Sequence, residues 1–203
     1  MKHEAEIKEL LVKNAIHLIA QGGFESATTK ELTHCSGSIE GLRMNEVYIY
    51  RLYGSKEALY EAMFAYLDKE MYLVFREAIE AAGGMEPHTE QKLFQIFSNV
   101  WQFIMENEEH CRCYVRYYYS IYFKGQTFDT QQMHFKKLIA EFAPLFKAEA
   151  DVNAIMRSVF VALMDFGLQV HNGRLEDRED NRKHAFIVLY NMMRPYFKDS
   201  IKQ

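Results

Sequence analysis

The residue types best suited to metal or redox chemistry meet at one point, "HCRC", His110 to Cys113. Two thiols and an imidazole are the kind of set that holds zinc or cycles as a dithiol. The spacing opposes this, because residues two apart on a helix project about 200° apart and cannot grip one ion while the helix is intact. No second cluster supplies the missing ligands. A cysteine nucleophile needs a partnered histidine and an oxyanion donor, neither of which is legible, and buried thiols are usually structural. There is no phosphate-binding glycine loop, no glycine-serine-glycine elbow and no paired-carboxylate motif. No catalytic residue, metal site or cofactor is therefore nominated, and the chain is not expected to be an enzyme. A small helical enzyme is kept as an alternative that a convergent acid–base set in a cavity would raise.

Two aromatic stretches offer recognition chemistry. In "YIYRLYGSKEAL", residues 48–59, a short helix stops at Gly54 and a new one starts on Ser55. Helical spacing puts Ile49, Leu52 and Tyr53 on a buried face and leaves Tyr48, Tyr50 and Arg51 outward, toward solvent or a partner. Lys30 and Lys56 stand near helix starts, where isolated surface lysines are common. The second stretch, "WQFIMENEEHCRCYVRYYYSIYF", residues 101–123, is dense in tyrosines whose hydroxyls need partners when buried. A mostly apolar pocket with a few polar tips satisfies that need. Trp101, Met105, Tyr114, Tyr118 and Tyr122, with Phe160 and Met164, are its expected lining, against the plainer reading of ordinary core.

The elements that must position these groups are helical throughout, so the expected fold class is all-α. Ile7, Leu10, Leu11, Ala15 and Leu18 make one stripe of a first helix, which Gly22-Gly23 stops and Phe24 folds back upon. Thr28 and Glu31 suit a capping box at the start of a second helix running to about Cys35. "SGSIEG" then favours a turn, after which Asn45 caps a third helix over Glu46–Leu52. Three such helices are too small to hold a core alone. A long fourth helix, capped by Ser55 and closed by "AAGG", is expected to cover them and reach into a second part of the chain. Further helices are expected at 89–106, 107–123, 128–147, 151–172 and 177–198.

In the last two helices Ile155, Val159, Ala162 and Phe166 form one stripe, and "HAFIVLYNMMRPYF" is apolar nearly all round. A terminal helix of that kind must be covered from two sides, and a twofold partner is the simplest cover. Ile155, Val159, Ala162, Phe166, Phe186, Leu189, Tyr190 and Met193 are the expected dimer interface.

Composition bounds the rest. The chain has 203 residues, 49% of them apolar, enough for a substantial core. A net charge of −4 excludes a general polycation and leaves partners to be read locally. Three cysteines and a highly charged start, "MKHEAEIKELL", suggest a reducing cytoplasm. No uninterrupted apolar run approaches the roughly 20 residues of a membrane span.

Helix, glycine turn, "GGFESATTKEL", loop, short aromatic helix and "YGSKEAL" together resemble the DNA-binding domain of TetR-type transcriptional regulators, over about Ile7 to Leu67. The resemblance implies a helix-turn-helix domain at 1–54, joined by the fourth helix to a larger helical ligand-binding and dimerisation domain at 55–203. It implies Thr29, Lys30, Arg43, Asn45, Glu46, Val47, Tyr48, Tyr50, Arg51 and Lys56 as the DNA-facing set. It also implies a homodimeric regulator, of repressor type, on a palindromic duplex, with an unknown small apolar or aromatic ligand. Two features depart from the pattern. The stretch "SGSIEGLRMN" is about five residues longer than the usual turn, and through Lys56 the seven Lys/Arg are matched by seven Asp/Glu. These keep open a small-molecule sensor or protein-interaction module that does not bind DNA.

Overall fold

The computed structural model describes residues 2–34, 45–86 and 89–198. Nine helices are described: α1 (Lys2–Gly22), α2 (Thr29–His34), α3 (Val47–Tyr53), α4 (Lys56–Ala81), α5 (Glu90–Glu106), α6 (Glu108–Tyr118), α7 (Gln126–Phe142), α8 (Val152–His171) and α9 (Glu179–Met193). There is no strand among the described residues, apart from one isolated antiparallel bridge between Phe146 and Phe197. The chain is all-α.

Local chemistry sets the helix starts. The Thr28 hydroxyl accepts from Glu31 N at 3.1 Å, Ser55 Oγ from Ala58 N at 3.0 Å, and Asp151 Oδ1 from Ala154 N at 3.0 Å. Asn45 Oδ1 accepts from Val47 N at 3.1 Å, so the asparagine closes the turn entering α3. Gly54 adopts φ +82°, a conformation L side chains rarely take, and sends its N–H back to Tyr50; this is the one-residue break between α3 and α4.

Helix ends depart from expectation where side chains intervene. α6 stops at Tyr118, not 123, because the Ser120 hydroxyl donates to the Tyr117 carbonyl and accepts from Tyr122 N, turning the chain. α7 ends at Phe142, followed by a 3₁₀ turn, Ala143–Leu145, that carries Pro144. α9 ends at Met193, followed by a similar turn, Arg194–Tyr196, that carries Pro195.

Two compact units divide the chain: Met1–Asp68 with Arg112–Thr130, and Lys69–Cys111 with Gln131–Gln203. The boundary expected at 54/55 falls inside the first unit, and α4, α6 and α7 each supply residues to both.

In the first unit α1 packs on α2, and the buried Asn14 amide donates to the Leu32 carbonyl at 2.9 Å. Phe24 leaves the end of α1 to pack edge-on against Tyr60, with ring centroids 5.3 Å apart, and against Tyr122 at 4.8 Å. Tyr60 donates to Ala27 O at 3.1 Å, so the entry to α2 is tied to α4.

In the second unit α5, α8 and α9 pack on one another. Leu93, Ile96, Phe97, Val100, Trp101 and Ile104 form the buried stripe of α5, at the spacing an amphipathic helix requires. By length and mean hydropathy α8 is long and apolar enough to cross a membrane, a possibility the interrupted run had set aside. It carries Arg157 and Asp165, and it buries Met156, Val159, Leu163 and Met164.

Gly167 marks the close approach of α8 to α5. A Cβ there would lie 2.5 Å from Ile104 Cγ2, closer than real contacts allow. Gly167→Ala is predicted to cost about 1–3 kcal/mol through forced displacement of packed helices. The check is thermal unfolding, with Tm falling roughly 3 °C per kcal/mol for a chain of this size. An unchanged Tm would show that the two helices separate there at no cost.

Candidate nucleic-acid interface and an apolar cavity

A seven-residue helix cannot hold itself together in water, so α3 must be seated by tertiary contacts. Ile49 provides the seat, fully buried at 0% exposure. Leu52 and Tyr53 are half-buried, and the Tyr53 hydroxyl donates to Lys8 O in α1 at 3.0 Å. Burial pushes that phenol up to about 12, so it remains a donor at any ordinary pH.

The opposite face of α3 is open. Val47 is 65% and Tyr50 53% exposed, neighbours at i and i+3 on one face of the helix. Glu46 and Arg51 are exposed and Tyr48 is half-buried. The Arg51 guanidinium lies over the Tyr48 ring, 4.5 Å from its centroid, which holds a cation and an aromatic face together. At the other end the Thr29 hydroxyl donates to Glu46 Oε2 at 2.7 Å, tying the start of α2 to the start of α3. The acid at the head of α3 is thereby hydrogen-bonded within the protein. Lys30 is exposed, and Lys56 sits with its Nζ 5.5 Å from the Tyr60 ring centroid. Arg43, Cys35 and the long turn lie outside the described residues. Of the expected set, the structure pairs Thr29 with Glu46, Asn45 with Val47, and Tyr48 with Arg51.

The aromatic stretch does not form the single pocket expected of it. Tyr114 packs on Phe64 at 4.9 Å and its hydroxyl donates to buried Asp68 at 3.2 Å. Tyr118 packs on Phe123 at 4.6 Å, and Tyr122 against Phe24 and Tyr60. These three belong to an aromatic cluster of the first unit, in which Tyr117 stacks on Phe64 at 4.6 Å. Arg116 of the same segment donates to Ile19 O at the end of α1. The Tyr114 and Tyr117 hydroxyls bond within the protein, Tyr117 to Tyr122 O at 3.1 Å, and the rings of Tyr118 and Tyr122 pack on other aromatics.

Trp101 and Met164 are buried in the second unit, where the indole donates to Asp177 Oδ1 at 3.1 Å. Met105 is half-buried there. Of the expected lining, Phe160 alone faces an apolar cavity of this unit, a space of about 70 Å³ lined by residues of α4, α5, α7, α8 and α9. Its sixteen lining side chains are all hydrocarbon or thioether. The missed signal was the stripe shared by α5, α7 and α8, which periodicity marks as buried without saying that it encloses space.

Five of the eight residues expected at a dimer interface are buried within the chain itself. Val159, Phe186, Leu189 and Met193 line that cavity and Tyr190 is buried at 6% exposure, all within their own unit. Ile155, Ala162 and Phe166 are half-exposed, while Val161 and Ile187 are the exposed large apolar residues of α8 and α9. In "HCRC", Cys111 Sγ lies 3.9 Å from Ile104 O and Cys113 Sγ 3.5 Å from Met63 Sδ. Burial pushes the Cys111 thiol up to about 12, far from a reactive thiolate.

No protein-family model and no curated protein matches the sequence. Solved structures do match over nearly the whole chain. A TetR family transcription regulator from Marinobacter aquaeolei VT8 is similar with a TM-score of 0.75 at 14% identity, covering 95% of this chain and 98% of that one. A TetR-like transcriptional regulator from Rhodococcus sp. RHA1 gives 0.61 at 16% identity, covering 92% of each chain. The TetR family regulator PfmR from Thermus thermophilus gives 0.57 at 17% identity, covering 91% and 97%. Identities this low speak to architecture. The fold of this chain is that of the TetR-type transcription regulators.

Proposed function

We propose that this chain is a transcription regulator that binds a palindromic DNA operator as a homodimer, and that a small apolar molecule in the second unit's cavity changes its affinity for that operator. The observation that carries this reading is the exposed face of α3, where Val47, Tyr50 and Arg51 are left uncovered on a helix anchored by one buried isoleucine. A helix-turn-helix presents such side chains to base edges in the major groove. The TetR-type fold supports the same reading.

A second reading, a sensor that does not bind DNA, is favoured by the equal number of acids and cations through Lys56. Selection of bound duplexes from a random pool separates the two, because recovery of a palindrome requires a dimeric reader. Once a palindrome is in hand, Arg51→Ala or Tyr48→Ala is predicted to lower affinity for it by about 1–3 kcal/mol where the side chain reads a base, with Tm nearly unchanged. Equal losses on random duplex would assign phosphate contact instead, and no loss in either variant would remove the Tyr48–Arg51 pair from the interface.

A further inference from the structure

We infer that the molecule taken by the second unit's cavity is an uncharged, hydrocarbon-like compound, of the size of one small ring or a short alkyl chain. The inference rests on the ligand-responsive reading above and deepens it. A site for a carboxylate, amine or phenol carries at least one convergent polar group, since an unpaired polar group is costly to bury and an unpaired charge far more so. Here the walls offer none: phenylalanines 75, 97, 135, 142, 160 and 186 alternate with aliphatic side chains and two methionines. Of the polar groups in the same unit, Trp101 is engaged with Asp177 and His171 with Ile104 O at 2.9 Å, and the buried Arg182 Nε, one turn before Phe186 and without a hydrogen-bond partner, is not among the wall residues.

Size narrows the class further. A space of about 70 Å³ is smaller than the roughly 150 Å³ hydrocarbon-lined cavity that stays dry and takes up benzene. Met156 and Met193 supply the give, because an unbranched thioether changes shape at low cost. The competing class is an amphiphile whose charged end stays outside. Arg157 is the group that would favour it, with its guanidinium 5.3 Å from the ring centroid of the lining residue Phe135.

The test is direct binding to the full chain with labelled methionine methyl groups, observed by NMR. Benzene, toluene and n-hexane are titrated beside benzoate and n-hexanoate. The hydrocarbons are expected to move the Met156 and Met193 signals saturably, to leave the exposed Met133 unmoved, and to bind at least about tenfold more tightly than their carboxylates, the smallest ratio that unpaired burial of a charge predicts. Val159→Leu, which adds one methylene to the wall, is expected to weaken the hydrocarbons at least about threefold by occupying space. Carboxylates that bind as well as the hydrocarbons would overturn the inference and leave the ligand-responsive reading standing. Hydrocarbons that leave Met156 and Met193 unmoved, or bind Val159→Leu unchanged, would overturn it too. Duplex binding on the same preparation reports separately on the regulatory reading.

Discussion

Ile49→Ala is expected to lower stability by about 2–5 kcal/mol, the range for truncating a fully buried isoleucine, and to abolish selective duplex binding at concentrations where Arg51→Ala still binds. Ile49 is the buried residue of α3, at 0% exposure. A seven-residue helix has almost no intrinsic stability, so its position depends on that side chain and on the Tyr53 hydroxyl bonded to Lys8 O. Removing three carbons leaves a void and frees the helix to fray, so every outward residue loses its register together. Arg51→Ala deletes one contact from an intact reader. Thermal unfolding and fluorescence anisotropy on a selected duplex check the two halves. Amide exchange over Val47–Tyr53 should rise in Ile49→Ala and stay unchanged in Arg51→Ala. Ile49→Ala with wild-type duplex affinity would mean that the seating of α3 is irrelevant to DNA, and would argue against α3 as the reading element.

The contrast between these two variants reflects what was legible in the sequence. Thr28 and Ser55 could be read as caps because the physics is local: a short oxygen-bearing side chain reaches an N–H three residues on, and the structure has those bonds, whereas Asn45, read as the cap of α3, bonds Val47 N in the turn before it and Glu46 holds the N-cap position. The break at Gly54 was legible for the same reason, since a positive φ selects glycine. Ile49 could be assigned to the core from spacing alone. What spacing does not encode is which surface covers a buried stripe. Phe186, Leu189 and Met193 were read as facing a twofold partner, and within the chain they line the cavity of their own unit. Tyr114 and Tyr122 were read as lining a ligand pocket; what they meet instead, Asp68 for Tyr114 and the rings of Phe24 and Tyr60 for Tyr122, lies 46 to 98 residues away in the chain. The end of α6 was missed because Ser120 diverts the backbone by bonding to Tyr117 O, a choice a serine makes as readily in a helix as in a turn.

The second large effect is one of salt, and it follows from the neutral head. Each phosphate neutralised by Lys or Arg releases counterions, so log affinity for duplex DNA falls with log salt by about 0.9 per contact. Through Lys56 the cations are Lys2, Lys8, Lys13, Lys30, Arg43, Arg51 and Lys56, against seven acids. The structure narrows the supply. Lys13 Nζ is bound to Glu9 at 2.6 Å, and the hydrogen bond raises its pKa while holding it to its own helix. Arg51 lies on Tyr48, and Lys8 sits with Nζ 6.0 Å from the Tyr53 ring centroid. Lys30 is exposed at the start of α2. With roughly two or three phosphate contacts per subunit, a dimer is expected to show a slope of only about −4 to −5. Between about 50 and 200 mM salt its affinity would then fall roughly 250- to 1,000-fold, less than a heavily basic reader loses. Specificity would rest on base edges read by Tyr50 and Arg51, on apolar contact from Val47 to a thymine methyl, and on DNA shape. Fluorescence anisotropy on the selected duplex measures the slope. A value as steep as about −8 would require cations beyond this set, from α4 onward, to face the DNA. Failure to bind any duplex at the low-salt end would overturn the regulator reading and promote the sensor, for which the exposed face of α3 would need a different partner.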